Sequence, residues 1–550
     1  MRVDWTVNLY DRYPRVADTV YERRMRQLSS AIRSKPGWME ALNSAEMRAD
    51  WEFKAKAQGL TDVEFRYVLD ELAYYSSLHL PGSNIRLGAA DGVWFSDSLI
   101  DAKTTIELKG YAAILESGTR RPGGQHSVRH LIDPSLYPLV YGRSKLCLPG
   151  TPLQTEFPGS LCGWRKALNG SGNAGAFYFV PFPYERYSDH DSDEEVEDRY
   201  FDKYDEHASE EFSWLPSEFL VDNNGSVTIE SYINNLHPVR HAAFYPTIAS
   251  VFSKFLPLLE QVATDLVHPL PPRVIADVEK CYESDEPMPN KYSEDFEQWR
   301  GKAKFVHPQP GPFAAPERPA NPYKLRGGRL QVIVKMTNVE LMPENPIYGG
   351  EPWSMAGLDN ERIIATGIFF YDVANIADSS LRFREAISGL KYGVMLRDAD
   401  AICMLYGIDK ESRSRGMRIP QEVDSVDIKD GLCLAFPNTY QFQMPGLGLK
   451  DATKAGHCKM LMFYLVEPTV RIPSTEIVPP QQKDWWIEDV LVYEPFSSLP
   501  ELVVGGIMDK IEFPISLKEA EKSRSNMARE VSHLNALLSI EYFDPNLFVW

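Results

Sequence analysis

Two pairs of histidines are the first groups in this sequence whose types and spacing could do chemistry. His126 and His130 form one pair, and His237 and His241 form the other. On a helix this four-residue spacing places both imidazoles on one face, as a zinc site requires. A glycine pair precedes the first pair, a proline interrupts the second, and neither has an obvious third ligand nearby. We therefore interpret all four as ordinary hydrogen-bonded histidines.

A strongly acidic run, DHDSDEEVEDRYFDKYDE, occupies residues 189–206. Its carboxylates are irregularly spaced and it lacks the glycine of a calcium-binding loop. We expect a solvated loop here rather than a cation site.

The stretch EPWSMAGLDNERIIATGIFFYD, from Glu351 to Asp372, has the form of an active-site turn that leads into a strand. Its corner, Trp353 to Gly357, nevertheless offers no group capable of strong chemistry. The sequence also lacks a dinucleotide-binding G-x-G-x-x-G in strand–helix context, a Walker A loop, a G-x-S-x-G elbow and an H-E-x-x-H helix. Nucleotide-dependent, serine-hydrolase and zinc-protease chemistries are therefore not indicated.

The elements that must position the corner are strands, with helices before and after them. Thr61-x-x-Glu64 and Ser516-x-x-Glu519 are capping-box patterns that predict helix starts, and residues 241–266 read as an amphipathic helix. β-Branched and aromatic runs bounded by Gly, Pro or Asn predict strands within 329–341, 361–372, 431–444 and 459–470.

These patterns predict an α+β protein whose strand-rich part is a mainly antiparallel sandwich or barrel. A proline-rich stretch before the strand-rich part is the best candidate for a domain boundary. We divide the chain into a helical N-terminal region (1–85), a mixed region (86–267), a linker or wrapping segment (268–328), a β-core (329–515) and a C-terminal helix with its tail (516–550).

Composition excludes several partner classes. The net charge of −19 argues against sequence-independent nucleic-acid binding and against docking on anionic membranes, because both need clustered cations. No apolar run approaches the roughly 20 residues of a membrane span, and no signal peptide is visible. Six scattered cysteines without a C-x-x-C pair fit reduced thiols, so we predict a cytoplasmic protein.

Several long segments carry a family resemblance. They are LQVIVKMTNVEL, NERIIATGIFFYDVANIADSSLRFR, LAFPNTYQFQM and GHCKMLMFYLVEPTVRIPST with VPPQQKDWW, and further upstream IDPSLYPLVYGRS and SYINNLHPVRH. Together they resemble an almost exclusively fungal family, domain of unknown function 4246 (DUF4246). The family's pattern is in turn similar to the Fe(II)/2-oxoglutarate-dependent oxygenases, which implies a double-stranded β-helix (jelly-roll or cupin-like) core with surrounding helices.

The resemblance also implies where iron ligands would lie. Ser354 stands at the position of the family's first His, Ala356 at that of the acid, and Phe442 at that of the distal His. Cys458 stands where an Arg could pair with the co-substrate carboxylate. A hydroxyl is a poor Fe(II) ligand and the other two side chains are not ligands. We therefore expect no metal and no cofactor.

Nearby groups do not replace the missing ligands. Asp359, Glu361 and Asp372 offer carboxylates without an accompanying histidine. His457 and Cys458 are neighbours on a predicted strand, so they point to opposite faces.

A barrel without its metal would retain a concave, aromatic pocket for a small apolar metabolite. We predict that Trp353, Met355, Phe370 and Phe442 line this pocket. Ser354, Tyr440, Gln441, His457 and Arg471 are the candidate acids, bases or oxyanion donors.

Three functions remain open from the sequence. The first, which we favour, is a metal-independent tailoring enzyme of fungal secondary metabolism, such as a cyclase, isomerase or dehydratase. The second is a non-catalytic pseudoenzyme that binds a ligand or a protein partner. The third is an active oxygenase with unrecognised ligands, which would need Fe(II) and 2-oxoglutarate.

Overall fold

A computed structural model describes most of the chain. The described residues are 18–35, 37–78, 83–88, 90–118, 128–147, 177–179, 208–274, 281–290, 293–316, 323–386, 399–408, 422–491, 494–510 and 514–540. The acidic run at 189–206 and His126 lie outside them.

Helices flank the strand-rich part of the chain, as the sequence predicts. The Thr61 backbone N–H donates to Glu64 at 2.7 Å, and the Glu64 N–H donates to the Thr61 hydroxyl at 3.2 Å, so the predicted capping box is confirmed. The Ser516 hydroxyl likewise accepts from Glu519. The helices are α1 (Val20–Arg33), α2 (Trp38–Ala41), α3 (Ala45–Ala57), α4 (Asp62–Ser77), α5 (Ala102–Gly118), α6 (Tyr245–Val267), α7 (Glu294–Lys302), α8 (Ala399–Tyr406), α9 (Lys483–Val490), α10 (Glu501–Met508) and α11 (Leu517–Leu538).

The predicted strands begin and end within a few residues of their expected bounds. The strand predicted over 431–444 is divided into two at the Pro437–Asn438 turn. The strands are β1 (Arg86–Leu87), β2 (Trp94–Ser96), β3 (Val128–Ile132), β4 (Leu139–Val140), β5 (Lys145–Cys147), β6 (Phe177–Phe179), β7 (Phe212–Ser213), β8 (Ser217–Val221), β9 (Val227–Ile229), β10 (Tyr282–Glu283), β11 (Lys304–Phe305), β12 (Gly328–Leu341), β13 (Ile347–Tyr348), β14 (Ile363–Ala374), β15 (Ser380–Glu385), β16 (Glu422–Asp427), β17 (Cys433–Pro437), β18 (Tyr440–Gln443), β19 (Leu447–Gly448) and β20 (Gly456–Val466).

A nine-stranded antiparallel sheet is the largest element. Its order is β1-β2-β17-β14-β20-β12-β8-β9, and β3 pairs with β12 alongside β8. The sheet combines strands from both sides of the proline-rich stretch, since β2 pairs with β17 and β8 pairs with β12. The β-core is therefore larger than residues 329–515.

A smaller sheet, β16-β15-β18, packs against one face of the large one. Apolar side chains from both sheets meet in one cluster, which we call the interior. Alternation along β20 shows the geometry: Cys458, Met460 and Met462 belong to the interior, whereas Leu461 and Phe463 face the other way. We call the face of the small sheet toward the interior its inner side and the opposite face its outer side.

Helix α6 covers the other face of the large sheet together with α5. Gly367 of β14 permits close packing there, because a Cβ atom at this position would lie 2.9 Å from the Phe255 ring. Among the described residues one helical stretch, Ala242–Val267, is long and apolar enough to cross a membrane. Its apolar residues are largely buried against the sheet, which is the ordinary position of a core helix.

The N-terminal helices α1, α3 and α4 form a separate apolar cluster around Met25, Trp51 and Leu72. The chain as a whole is thus a mixed helix-and-sheet protein, as expected.

Candidate functional site

The corner before β14 is joined to β18 by a pair of backbone hydrogen bonds. The Ser354 N–H donates to the Phe442 carbonyl at 3.2 Å, and the Phe442 N–H donates to the Ser354 carbonyl at 3.0 Å. Residues that exchange both bonds lie directly opposite each other, and their side chains point to the same face. Two positions separated by almost 90 residues of chain are therefore neighbours.

Asn438 fixes the corner from the turn between β17 and β18. Its amide oxygen accepts from the Ala356 N–H at 3.0 Å, and its amide nitrogen donates to the carbonyls of Ala356 and Ile363 at 2.9 and 3.2 Å. Gly357 follows with φ +66°, and a Cβ atom there would meet Ile363 at 2.8 Å. Only glycine adopts this backbone without strain in so little space.

The buried carboxyl group of Glu361 supports the same corner. Glu361 is fully buried and accepts hydrogen bonds from the backbone N–H groups of Trp214 at 2.7 Å and Leu358 at 2.6 Å. Burial outweighs these hydrogen bonds and raises the pKa of Glu361 to about 7. Both oxygens are engaged with the backbone, so this group holds the turn in place.

The interior beyond the corner is apolar. Ala356, Phe370, Phe442 and Cys458 all belong to it, and the rings of Phe442 and Phe436 are 5.2 Å apart. Desolvation raises the pKa of the Cys458 thiol to about 12, so it is uncharged. The positions assigned to two metal ligands and to the co-substrate arginine therefore face one cluster of packed side chains.

Tyr440 is the polar candidate that enters the interior. It is buried, and its hydroxyl donates to the Asp91 carbonyl at 2.9 Å. Ser354 is half-buried at the rim. Of the predicted acids and bases, these two lie near the Phe442 position.

The neighbouring candidates face the outer side. Arg384 donates to the Gln441 side chain at 2.7 Å and lies over the Trp353 ring at 4.9 Å. The Met355 N–H donates to Asn535 of α11 at 3.4 Å. The predicted pocket lining is therefore divided, since Trp353 and Met355 lie on the opposite face from Phe370 and Phe442. The reason is strand alternation, which places successive residues on opposite faces.

The remaining two candidates lie elsewhere. His457 occupies the helix-covered face of β20, where its Nε2 is 3.0 Å from an oxygen of Asp372. Arg471 is exposed and pairs with Glu218 and Glu476. The structure does not bring either of them to Ser354, so the five predicted acids and bases do not assemble into one site.

The residues present do not fit an iron ion. At the three positions that the resemblance assigns to ligands, the side chains are a hydroxyl, a methyl and a phenyl group, and none is an imidazole or carboxylate. Within the described ranges, no group of three His, Cys, Asp or Glu side chains is arranged to hold a metal. His237 accepts two backbone N–H bonds, and burial lowers its pKa to about 4, in line with its interpretation as a structural histidine.

Sequence reasoning missed a polar cleft on the outer side of the small sheet. This cleft, of about 820 Å³, lies between α1 and strands β15 and β16. Arg26, a buried residue of α1, is among the residues of its wall. The one available signal is the spacing of Arg23, Arg26 and Ser30 on one face of α1, which looks like any solvated helix face.

Comparison with known proteins gives a match to a family model and distant matches to solved structures, two of which are described below. The family model described as "Protein of unknown function (DUF4246)" matches residues 62–489. No curated protein matches this chain. A solved structure of the selenomethionine-labelled Fe(II)/(alpha)ketoglutarate-dependent dioxygenase TqaL is similar at 9% identity and a TM-score of 0.23, covering 48% of this chain and 69% of that one.

A second solved structure, of a BsmA homologue from Methylobium petroleophilum PM1, is similar at 12% identity with a TM-score of 0.17. It covers 27% of this chain and 45% of the other. Because the family model spans most of the sequence, from α4 to α9, this chain belongs to the DUF4246 family.

Proposed function

We propose that this chain is a non-catalytic, metal-independent protein with an oxygenase-like core, in which the iron-binding positions have become part of the hydrophobic interior. The core would be a double-stranded β-helix made of the small sheet and the facing strands of the large one. Its role would be to bind a ligand or a partner rather than to oxidise a substrate.

One observation carries the proposal. The assignment of Ser354, Ala356 and Phe442 to ligand positions came from sequence resemblance alone, yet the structure pairs the first with the third. Ala356 and Phe442 lie in one cluster, and Cys458 joins them there. Positions chosen at random along 105 residues would not converge on one face, so this convergence supports the assignment. The side chains found there stabilise the fold by burial.

The distribution of polar groups favours a binding role over a metal-independent enzyme. A general acid or base must lie within hydrogen-bond reach of the proton that it transfers, so candidates that act together must lie near one substrate. Gln441 is on the outer side with Arg384, His457 is on the helix-covered face with Asp372, and Arg471 pairs with Glu218. Tyr440 and Ser354 remain; the Tyr440 hydroxyl donates to a backbone carbonyl, and Ser354 is half-buried.

Iron titration tests the proposal. The full chain is titrated anaerobically with Fe(II) and 2-oxoglutarate while the metal-to-ligand charge-transfer absorption is recorded. We expect no band from the natural chain. The triple variant Ser354→His, Ala356→Glu, Phe442→His should show one, because it places two imidazoles and a carboxylate on one face.

The matched control shifts the same three residue types by one position. In Trp353→His, Met355→Glu, Gln443→His the new side chains point to the outer side, so a folded control should give no band. A clear band from the natural chain would overturn the proposal. A folded triple variant that binds no more iron than the control would overturn the assignment of the positions.

A second experiment separates a binding role from a metal-independent enzyme. Metabolites from a strain that lacks the gene are incubated with purified protein in the presence of EDTA and compared with a protein-free sample. We expect an unchanged metabolite profile. Conversion of any accumulated compound in EDTA would show that the chain is an enzyme after all.

A further inference from the structure

Lys335 is a charged residue on the face of the large sheet that is turned toward the interior. Strand alternation along β12 places it on the same face as Ile333 and Val339, which both belong to the interior. Its partner across the strands is Met462 of β20, another member of that cluster. Lysines in such surroundings are normally paired with an acid. Lys335 is therefore unusual enough to need an explanation.

The ammonium group of Lys335 has no direct partner. Within the described part of the chain it makes no hydrogen bond and no ion pair. The side chain is half-buried, and its Nζ atom retains accessible surface. Desolvation lowers the pKa of Lys335, but the nearby Tyr464, Glu351 and Asp133 outweigh desolvation and raise it, so the group is charged. An acceptor that reaches this ammonium gains a charge-assisted hydrogen bond.

Tyr464 is a second donor on the same face. It lies opposite Ile333 on the paired strand, which makes it a diagonal neighbour of Lys335. Diagonal neighbours in an antiparallel pair are within reach of each other's long side chains. The Tyr464 hydroxyl donates to the sulfur of Met462 at 3.3 Å, and a thioether is a weak acceptor. A stronger acceptor can therefore displace this bond at little cost.

The surroundings of the two donors are apolar on one side and open on the other. The Trp214 ring lies 5.4 Å from the Tyr464 ring and packs against the interior. Thr337 follows Lys335 on the same face, and its hydroxyl is 3.2 Å from Nδ1 of His130. His130 is exposed, so this end of the interior face leads to solvent.

We propose that this face binds a small apolar monocarboxylate. The ammonium of Lys335 and the hydroxyl of Tyr464 hold the carboxylate group, and the apolar body of the ligand lies beside Trp214 and Met462. The inference names a ligand class for the binding role proposed above, and it rests on that role.

The nearby charges favour a ligand with a single negative charge. Asp133 pairs with Arg524 at 3.2 Å, and Glu351 accepts a hydrogen bond from Tyr348 at 3.3 Å. Lys335 is thus the cation that has no direct acidic partner here, and it balances one negative charge. A second charge on the ligand would be left unpaired in a half-buried place and close to two carboxylates, which is costly.

Calorimetric titration of the full chain in EDTA tests the inference. Phenylacetate is the apolar monocarboxylate, phenylacetamide is its neutral counterpart, and inorganic phosphate is the competing oxyanion. We expect phenylacetate to bind most tightly. No binding of phenylacetate, equal binding of the amide, or tighter binding of phosphate would each overturn the inference.

The inference and the proposed function fail in different experiments. EDTA removes iron, so a metal ion cannot hold the carboxylate in this titration. An Fe(II) charge-transfer band from the natural chain would overturn the proposed function and leave the phenylacetate result unaffected. Absence of phenylacetate binding, with no such band, would overturn the inference alone.

One substitution and its control locate the site. Lys335→Met removes the ammonium but keeps a long apolar side chain beside Met462, so phenylacetate affinity should fall by about tenfold or more. Lys254→Met makes the same change in net charge on the exposed side of α6 and should leave the affinity unchanged. Equal affinities in the two variants would place the ligand elsewhere and overturn the inference.

A second substitution tests the hydroxyl. Tyr464→Phe keeps the ring beside Trp214 and removes one hydrogen bond, so affinity should fall by about threefold to tenfold. Thermal unfolding shows whether both variants are folded, and if Lys335→Met is not, the Tyr464→Phe result decides. An unchanged affinity in folded Tyr464→Phe would contradict the role of Tyr464.

Discussion

The inner and outer sides of the small sheet differ in almost every physical respect. On the inner side Leu381 and Phe383 of β15 are buried in the interior. On the outer side Arg382 and Arg384 lie over the Trp353 ring, and Arg382 borders a polar cleft. Four consecutive residues of one strand, 381–384, therefore belong alternately to a hydrophobic core and to a charged surface.

The two sides also differ in how tightly their side chains are packed. In an oxygenase-like core the inner side would hold the metal and the substrate, but here it is filled by rings such as Phe436 and Phe442, which are 5.2 Å apart. On the outer side, a cleft between α1 and the small sheet is instead lined by polar side chains. Because successive strand residues point to opposite faces, one residue step separates the packed side from the polar one.

The largest expected effect comes from breaking the inner side. Phe383→Ala removes a fully buried ring that packs against Phe436 at 4.9 Å, so the free energy of unfolding should fall by about 3–5 kcal/mol. The neighbouring change Arg382→Ala breaks a partly exposed pair with Glu422 and should cost about 1 kcal/mol or less. Urea unfolding followed by intrinsic fluorescence measures both. Equal losses would show that the two sides are not as different as we describe.

The corner before β14 gives a second test of the same comparison. It pairs with β18 and so fixes which side chains face the inner side and which face the outer side. Asn438→Ala leaves the Ala356 N–H and the carbonyls of Ala356 and Ile363 without their partner in a buried place. We expect a loss of about 2–4 kcal/mol in the same urea experiment. Asn224→Ala, in an exposed turn, is the matched control and should change little. A loss no greater than that of the control would mean that Asn438 does not fix the corner.

A smaller expected effect is the pH dependence of stability that arises from the buried carboxyl group of Glu361. The pKa of Glu361 is raised from 4.5 to about 7 on folding, so between these values the folded chain holds a proton that the unfolded chain has released. Stability from this group is complete below pH 4.5 and is lost as pH rises toward 7, by about 1.4 kcal/mol per pH unit.

The Glu361→Gln variant should lack this contribution, so its unfolding free energy should fall less steeply than that of the natural chain between pH 5 and 7. Part of the slope should remain, because burial and the nearby Asp18 also raise the pKa of Glu22 to about 7. Urea midpoints at several pH values measure the difference. Parallel pH profiles would show that Glu361 does not titrate in this range.

The main elements could be predicted from sequence because local signals specify them. The capping box at Thr61 and the β-branched and aromatic runs at 329–341 and 459–470 indicate a helix start and two strands without reference to the rest of the chain. The two-residue strands β1 and β4 could not be predicted in this way. Their pairing depends on distant partners that no local pattern reveals.

The site could be predicted only in part, for a related reason. Alignment with a family pattern identified Ser354, Ala356 and Phe442, because it needs only the order of residues. It could not show that Trp353 and Gln441 face away from them, since that follows from the register of paired strands. The cleft was missed because it forms between α1 and strands almost 350 residues later in the chain.

The large sheet also constrains how the protein is made on the ribosome. Ser96 of β2 pairs with Cys433 of β17, and synthesis of the intervening ~340 residues takes on the order of 20–70 s at about 5–20 residues per second. Throughout that time β2, β3 and β8 lack the strands with which they pair. Their unpaired backbone groups are then exposed, as in the edge strands on which aggregation begins. We therefore expect the yield of soluble protein to rise when chaperones that hold nascent chains are abundant.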